Sequence, residues 1–430
     1  MARKMKDSGI EWIGEIPEGW EIKRLGAILQ ERNEVNNPIQ TTSILSLTNN
    51  RGVIPYSEKG NQGNKAKDDL TGYKIAHIGD IVLNSMNVII GSVGLSNYYG
   101  AVSPVYYMLF PRNNIETNIQ YYNYLFQTTA FQQSLRGYGN GILEIRMRIQ
   151  MQKLKTVLLP VPTFLEQSNI TVYLAASLSK LNILLSKTRS SIEEYKKLKQ
   201  AVITQAVTKG VRSEREMKDS GVEWIGEIPK EWVIQKIKSI SSRINVGVVI
   251  RPSEYFDENG TVPFLRGINV KEYLISSDNM VYINESSNRI LSKSQVHTDD
   301  ILIVRDGSIG TSCVVPAEFD GANVVSMVIA TPSISCDSRF ICYSLNSDVG
   351  KTQFTLTKIG SALTHTSVSA VSDIIVAVPS CVEQKEIADY LDAKCAEIDG
   401  LIAKKEQLVK ELESYKKSLI YEVVTGKREV

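Results

Sequence analysis

MKDSGIEWIGEIPEGW, which spans Met5–Trp20, recurs at Met217–Trp232 as MKDSGVEWIGEIPKEW, with thirteen of the sixteen positions identical. Such identity over one contiguous stretch indicates an internal repeat, and a repeat decides the architecture before any single element does. The period is about half the chain, so the repeated unit has the size of a domain and not of a solenoid turn. The sequence therefore predicts two copies of one unit in tandem.

The far end of each unit repeats as well. Val161-Pro162 followed by Glu166-Gln167 recurs as Val378-Pro379 followed by Glu383-Gln384. The offset between the copies is 212 residues at the start of the unit and 217 at its end, so the second copy has gained five net residues in its middle. Between these ends the identity largely vanishes. Each unit is thus a common frame around a variable insert.

The composition is that of an ordinary globular protein, with 430 residues, 43% of them hydrophobic and 22% charged. No apolar run approaches the roughly 18–20 residues that span a bilayer. The amino-terminal stretch MARKMKDSGIEW lacks the apolar core of a secretion signal. We therefore expect a cytoplasmic protein. All five cysteines lie in the second half without a Cys-x-x-Cys pair, so we expect free, mostly buried thiols and no zinc site.

The formal net charge is only +2. The chain therefore lacks the overall basic field of a stand-alone nucleic-acid binder. Any nucleic-acid surface must be a local patch, or must be completed by basic partner subunits.

A helical period begins at Glu166 and again at Glu383. Apolar or tolerated residues recur at alternating steps of four and three, the seam of a coiled coil, and the second seam is the first plus 217. The predicted seam consists of Ile170, Leu174, Ser177, Leu181, Leu184, Thr188, Ser191, Tyr195, Leu198, Val202 and Gln205, and of Ile387, Leu391, Lys394, Ile398, Leu401, Lys405, Leu408, Leu412, Tyr415, Leu419 and Glu422.

Prolines and glycines bound these two helices. Pro162 and Pro379 precede the helix starts, and Gly210 and Gly426 follow the helix ends. A helix of about 40 residues is a rod of roughly 60 Å, and its seam needs a partner. The other copy supplies one, and a pseudo-two-fold repeat makes the pair antiparallel. The alternative is two separate amphipathic helices, each packed on its own domain.

The inserts show short strands with frequent turns. Thr42–Thr48 and Val262–Ile268 form one equivalent pair of strands, and Gly79–Leu83 and Asp299–Ile303 form another. The predicted fold is α+β: two tandem α/β recognition domains, separated by two long helices that form an antiparallel coiled coil, in a pseudo-two-fold internal repeat. The predicted domains are residues 1–165 and 217–380 for recognition, and residues 166–216 and 381–430 for the two spacer helices.

Catalytic motifs are missing from the sequence. It contains no G-x-x-x-x-G-K-[ST] phosphate loop and no G-x-G-x-x-G that opens a βαβ unit. The three histidines are scattered without metal-ligand spacing. The acidic pair Asp299-Asp300 could bind a metal ion, but adjacent strand residues point to opposite faces, so the two carboxylates would not converge. We therefore interpret the pair as a solvated turn. We therefore expect no active site, no bound metal and no cofactor in this chain.

The duplicated frame resembles the specificity subunit of type I restriction–modification enzymes. The resemblance rests on K-D-S-G-x-E-W-I-G-E-I-P-x-x-W at Lys6–Trp20 and Lys218–Trp232, on the V-P-x-x-x-E-Q helix starts, and on Val424-Thr-Gly426. Asp300–Gly307 also looks like a recognition-domain strand of that family. In the first insert, Leu83-Asn-Ser-Met-Asn87 stands where that pattern would be.

This resemblance implies a non-catalytic reader of double-stranded DNA. Each recognition domain would read one half of a bipartite, asymmetric target, and the helices would set the gap between the halves. The helices would also dock two methyltransferase subunits and, through them, restriction subunits. S-adenosylmethionine, ATP and Mg²⁺ would then bind to the partner subunits.

Candidate DNA contacts follow from chemistry, because Arg and Asn can make bidentate contacts to guanine and adenine edges, and small polar groups suit phosphates. The candidates in the first insert are Asn49, Arg51, Arg136, Tyr138, Asn140, Arg146 and Arg148; those in the second are Arg266, Asn269, Arg305, Ser361, Thr364 and His365.

A competing interpretation is a coiled-coil scaffold or adaptor with two ligand-binding domains and no DNA role. The low net charge favours this alternative, and the doubled frame disfavours it.

Overall fold

The computed structural model describes residues 3–49, 51–60, 65–140, 148–359 and 365–430. These residues form two compact units. The first is Met1–Arg189 with Gln407–Val430, and the second is Ser190–Glu406. Each unit therefore combines one insert and its frame with a portion of both long helices.

Short strands and helices build the first insert and its frame. The strands are β1 (Met5–Asp7), β2 (Glu15–Pro17), β3 (Glu21–Arg24), β4 (Leu29–Arg32), β5 (Leu45–Thr48), β6 (Gly52–Pro55), β7 (Lys74–Ala76), β8 (Ile81–Asn84), β9 (Val93–Leu95), β10 (Gly100–Val102), β11 (Tyr106–Pro111), β12 (Gly139–Asn140), β13 (Arg148–Ile149) and β14 (Leu158–Val161). The helices are α1 (Leu25–Ile28), α2 (Ile119–Phe126), α3 (Thr129–Ser134) and α4 (Met151–Leu154), and the first long helix α5 (Phe164–Lys209) follows.

The second copy repeats this plan. Its strands are β15 (Met217–Asp219), β16 (Glu227–Pro229), β17 (Val233–Lys236), β18 (Ser241–Val246), β19 (Val262–Leu265), β20 (Val270–Lys271), β21 (Leu274–Ile275), β22 (Val281–Ile283), β23 (Ile301–Val304), β24 (Ser312–Val314), β25 (Asn323–Val324), β26 (Met327–Pro332) and β27 (Ile375–Val378). Its helices are α6 (Glu285–Ile290), α7 (Ser338–Asn346), α8 (Asp348–Ile359) and α9 (Val368–Ser372), followed by the second long helix α10 (Cys381–Val424).

Each unit has an antiparallel four-stranded sheet of the same order, β4-β11-β8-β9 in the first and β18-β26-β23-β24 in the second. The central strand β23 is apolar throughout, and β8 is apolar as far as Leu83, because both faces of each strand are covered. Ile301 and Ile303 point into the core against α7, whereas Leu302 and Val304 point into a second core on the other face. The predicted α+β class is therefore confirmed, and several of the candidate residues lie where these strands end.

The frame strands bring the two ends of each insert together. β3 pairs with β14 so that Glu21 faces Val161, and β17 pairs with β27 so that Val233 faces Val378. The start of each long helix thereby lies next to the tryptophan that closes the repeated opening stretch.

A glutamate at each helix start binds that tryptophan. Trp20 Nε1 donates to Glu166 Oε1 at 3.2 Å, and Trp232 Nε1 donates to Glu383 Oε2 at 3.3 Å. Burial disfavours ionisation of Glu166, but the hydrogen bonds from Trp20, Arg3 and Thr163 outweigh it and lower the pKa of the carboxyl group. The ionised form is therefore the one that holds the frame.

The same glutamate caps its helix. Glu166 Oε2 accepts from Thr163 N at 3.2 Å, and Glu166 N donates to Thr163 Oγ1 at 3.3 Å, the reciprocal pattern of a capping box. In the second copy Glu383 N donates to Ser380 Oγ at 3.4 Å. The V-P-x-x-x-E-Q sequence thus both starts a helix and ties it to the frame.

The long helices run antiparallel within each unit. In the first, α5 contacts α10 through an Arg189–Glu413 ion pair and a 2.8 Å hydrogen bond from Lys416 Nζ to Asn182 Oδ1. In the second, Lys199 pairs with Asp399 and Arg212 pairs with Glu386, each at 2.6 Å. Residue numbers rise on α5 as they fall on α10, so the predicted pairing is confirmed and separate helices are not observed in the described residues.

At about every second position of the predicted seam, the buried residue is the next one along the chain. Leu185 and Ile192 are buried on α5, whereas Leu184 and Leu198 are exposed. The same shift occurs on α10, where the buried residues Cys395 and Ile402 replace the predicted Lys394 and Leu401. Both phases fit a 3.5-residue period, and leucine stands at 184 as well as 185, so spacing alone does not separate them.

Each helix ends on a left-handed glycine that touches a frame tryptophan. Gly426 has φ +73°, and a Cβ there would lie 2.5 Å from Pro17 Cδ and 3.0 Å from Trp20 Cη2. Gly210 has φ +77°, and a Cβ there would lie 3.2 Å from Trp232 Cζ2. The end of α10 therefore closes the first unit, and the end of α5 closes the second.

Among the helices of the described residues, none combines the length and the apolarity needed to cross a membrane.

Gly426→Ala should lower the midpoint of thermal unfolding, because an alanine is strained at positive φ and its methyl group would overlap Pro17. We expect a loss of about 1–3 kcal/mol in the free energy of unfolding. The matched control is Gly400→Ala on the same helix, where a Cβ meets no atom within 4 Å. It should raise stability by up to about 1 kcal/mol. Equal effects of the two substitutions would contradict the docking of the helix end.

Candidate nucleic-acid interface

An ion pair between a half-buried arginine and a buried aspartate fixes the start of each central strand. Arg32 Nε donates to Asp80 Oδ2 at 2.9 Å, and Arg243 Nη2 donates to Asp300 Oδ2 at 2.8 Å. Asp80 and Asp300 are each only 1% exposed. The predicted solvated turn at Asp299-Asp300 is therefore wrong for Asp300, whose arginine partner stands on a strand 57 residues away in sequence.

The opposite end of β23 carries two of the candidates side by side. Arg305 Nε donates to the carbonyl of Thr366 at 2.9 Å, and Thr366 N donates back to the carbonyl of Arg305 at 3.1 Å. Asp306 forms an antiparallel bridge with His365. The structure thus brings Arg305 and His365 together at one edge of the sheet.

A second turn lies beside this edge. A Cβ on Gly267 would be 3.5 Å from Val304 Cγ1, so the turn after β19 packs against the last residue of β23. Arg266 donates to the carbonyl of Asn279 through Nη2, and its buried Nε has no hydrogen-bond partner among the described residues. Arg266 therefore stands at the same edge as Arg305.

Asn269 holds that turn from inside. Its side chain is 0% exposed, and Nδ2 donates to the carbonyls of Ser276 at 3.1 Å and Asp278 at 2.9 Å. Its Oδ1 accepts from the Arg266 backbone N–H at 3.1 Å. Every strong hydrogen-bonding group of the amide is engaged, so this geometry argues for shaping the turn and against a direct contact with a base.

The first copy has a different residue at the place of Arg305. Ile149 N donates to the carbonyl of Ser85 at 2.9 Å, as Thr366 N does to Arg305. By this bond Ser85 occupies the position of Arg305, and Arg148 occupies that of His365. Ser85 is buried and Arg148 is exposed. In the first copy the exposed cation therefore lies on the neighbouring strand, β13, and not at the end of the central strand. This agrees with the sequence, in which Leu83-Asn-Ser-Met-Asn87 stands in place of the family's strand pattern.

A cleft of about 890 Å³ opens at the same edge of the first sheet. Asn49 and Arg51 line it together with Asn84, at the end of β8, and Asn87, in the turn that follows. Ser92 Oγ donates to Asn49 Oδ1 at 2.5 Å. Sequence reasoning missed Asn84, Asn87 and Ser92, although the asparagine-rich turn that replaces Arg-Asp-Gly was a usable indication.

The remaining candidates are more scattered than those at the two sheet edges. Arg136 is exposed, and Tyr138 packs partly against the main core. Asn140 pairs with Arg148 between β12 and β13. Arg146, Ser361 and Thr364 lie outside the described residues.

The described residues contain no group of three or more histidine, cysteine or acidic side chains that could hold a metal ion. All five cysteines are free, as expected from the sequence. Burial raises the pKa of the Cys313 thiol to about 12 and also raises those of Cys336, Cys342 and Cys395. These thiols therefore stay protonated at neutral pH and are poor nucleophiles.

Comparison with known families gives one description for both copies. The family model for the type I restriction modification DNA specificity domain matches residues 17–194 and 229–411. The two matches include both inserts and most of both long helices.

Relatives of full length carry the same description. The chain is 26% identical to the putative type I restriction enzyme MjaX specificity subunit of Methanocaldococcus jannaschii over 434 residues, which cover 96% of this chain and 95% of that one. It is 24% identical to the MjaVIII specificity subunit of the same organism, over 96% of this chain and 93% of the relative.

Solved structures share the fold. A chain from a study of complex assembly and conformational transition in a type I R-M system superposes with a TM-score of 0.75 at 14% identity, covering 96% of this chain and 99% of that one. The HsdS subunit from Thermoanaerobacter tengcongensis gives a TM-score of 0.54, also at 14% identity, with 96% and 98% covered.

Asn269→Ala should destabilise the second unit, because it removes a fully buried amide that joins two backbone carbonyls and one backbone N–H of the turn. We expect a loss of about 2–4 kcal/mol in the free energy of unfolding, measured by urea denaturation. The control is Asn259→Ala, an exposed asparagine whose own backbone N–H is bound by Asp257. It should change stability by less than about 0.5 kcal/mol. A neutral Asn269→Ala would show that the turn does not depend on this amide.

Proposed function

Because the chain belongs to the type I restriction–modification DNA specificity family, we propose that each of its two recognition domains reads one half of a bipartite, asymmetric DNA target. The observation that carries this proposal is the doubled frame with unlike turns. Both copies use the same tryptophan–glutamate bond and the same sheet order. The turns at the strand ends differ, so the two halves of the target differ too.

The chemistry of those turns suits DNA. At the edge of the second sheet stand two guanidinium groups and an imidazole, on Arg266, Arg305 and His365. At the edge of the first stand the amides of Asn84 and Asn87, with the exposed cation of Arg148 nearby. Guanidinium groups favour guanine edges and amides favour adenine edges in the major groove. We propose the two edges as the base-reading surfaces.

The long helices would set the gap between the half-sites and dock two methyltransferase subunits. The shifted seam supports the docking, since it leaves apolar side chains on the outer faces. Leu198 on α5 and Tyr415 on α10 are related by the 217-residue offset, and both are exposed. Matched apolar residues on two matched helices suit two copies of one partner.

The chain itself would be non-catalytic. The proposal assigns S-adenosylmethionine, ATP and Mg²⁺ to the methyltransferase and restriction subunits, and it places the complex in the cytoplasm with the DNA. The adaptor alternative, with two ligand-binding domains and no DNA role, is disfavoured because the family match covers both copies.

Exchanging residues 233–377 for the corresponding insert of another family member should change one half of the methylated sequence only. The repeated opening stretch, both long helices and the ion pairs between them remain, so the length of the undefined gap should not change. Methylation mapping of the assembled enzyme measures both features.

The matched control is the exchange of residues 21–160, which should change the other half and again preserve the gap. The proposal would be wrong if either exchange altered both halves, or if both exchanges left the sequence as it was.

A further inference from the structure

A loop at the edge of the second sheet presents aliphatic side chains to solvent. It follows β18 and has the sequence Gly247-Val-Val-Ile-Arg-Pro252. Val249 is 53% exposed and Ile250 is 79% exposed. Two adjacent, solvent-exposed aliphatic side chains at a loop tip contribute little to the stability of the fold. Such a patch is typical of a surface that binds another molecule.

The base of this loop is held firmly. Gly247 N donates to the carbonyl of Met327, and Val248 N to that of Val324, both at 2.8 Å; Ser326 N donates to the carbonyl of Val248 at 3.0 Å. A Cβ on Gly247 would lie 2.4 Å from the Val324 oxygen, so only glycine allows this approach. The tip therefore projects from a fixed base.

The loop stands at the proposed base-reading edge. Ser326, which binds the Val248 carbonyl, also donates through Oγ to Asp306 Oδ2 at 3.3 Å, and Asp306 follows Arg305. Ile268, in the turn beside Val304, is exposed at the same edge. We call Val249, Ile250 and Ile268 the apolar rim.

Cations alternate with this rim. Arg251 follows Ile250, and Arg266 belongs to the turn of Ile268. Arg251 pairs with Glu254 at 3.2 Å, but the side chains are 77% and 59% exposed. So exposed an ion pair contributes little to stability, and a DNA phosphate can replace Glu254 as the partner of Arg251. Aliphatic groups that alternate with cationic side chains suit a DNA groove better than the apolar centre of a protein interface, which is depleted of charge.

The apolar group on a base-pair edge in the major groove is the C5-methyl of thymine. We propose that Ile250, supported by the rest of the apolar rim, identifies a thymine in the half-site of the second domain by contact with that methyl group, while Arg251 binds the neighbouring phosphate. This inference rests on the proposed function and adds to it a residue and a chemical group.

Replacing thymine by uracil tests the contact, because it removes the methyl group and leaves the hydrogen-bonding edge unchanged. The assembled methyltransferase is titrated with its target duplex, in which each thymine of either half-site is replaced in turn. Wild-type protein should bind about fourfold more weakly when one thymine of the second half-site is replaced, the effect of one buried methyl group. Ile250→Ala should bind the thymine and uracil duplexes equally well.

The matched control is Ile290→Ala. Ile290 is 75% exposed on α6, and Asn288 of that helix donates to the carbonyl of Gly321. Gly321 N in turn donates to the carbonyl of Val296, ahead of Asp300, so this contact lies toward the end of β23 opposite Arg305. This variant should discriminate between thymine and uracil as the wild type does.

Several results would overturn the contact while leaving the proposed function intact. They are a second half-site with no thymine on either strand, wild-type binding that ignores uracil throughout that half-site, and an Ile250→Ala variant that still discriminates. Failure of Ile250→Ala to assemble with the methyltransferase in the absence of DNA would also overturn it, by making Ile250 a protein contact. Absence of any sequence-specific binding by the wild-type complex would instead refute the proposed function.

Discussion

The hydrogen bond from a frame indole to a carboxylate in the first turn of a long helix is the contact on which each unit depends. Glu166 and Glu383 each stand in that first turn and accept the indole N–H of the repeated opening stretch, and Glu166 also caps its helix. A recognition insert can then vary between β3 and β14, or between β17 and β27, without loss of the helix start. This explains how two unlike inserts share one frame.

Closure of each unit requires both copies of the repeat. The end of α10 carries Gly426 against Trp20, and Tyr121 of the first insert donates to the carbonyl of Val424 at 2.7 Å. In the second unit Gly210, at the end of α5, meets Trp232. Neither frame is complete with its own helix alone. The antiparallel direction of the helices within each unit is therefore a consequence of how the frames are closed.

The sequence predicted the repeat, the helices, their direction and the fold class, because these depend on identity and periodicity. It misplaced half of the seam, since leucines at 184 and 185 fit the same period. Burial of Asp300 and of Asn269 was also missed. Both depend on partners distant in sequence or on local backbone carbonyls, which spacing does not reveal. The apolar rim escaped notice because motif reasoning looks for polar contacts.

The central claim is that two dissimilar domains on one duplicated frame specify a target in two parts. Genome-wide mapping of DNA methylation, in the host cell with and without this gene, tests it most directly. The account predicts a methylated motif of two unlike defined blocks, separated by a gap of undefined bases and lost when the gene is deleted. A continuous motif assigned to this gene, or a methylation pattern unchanged by its deletion, would contradict the account.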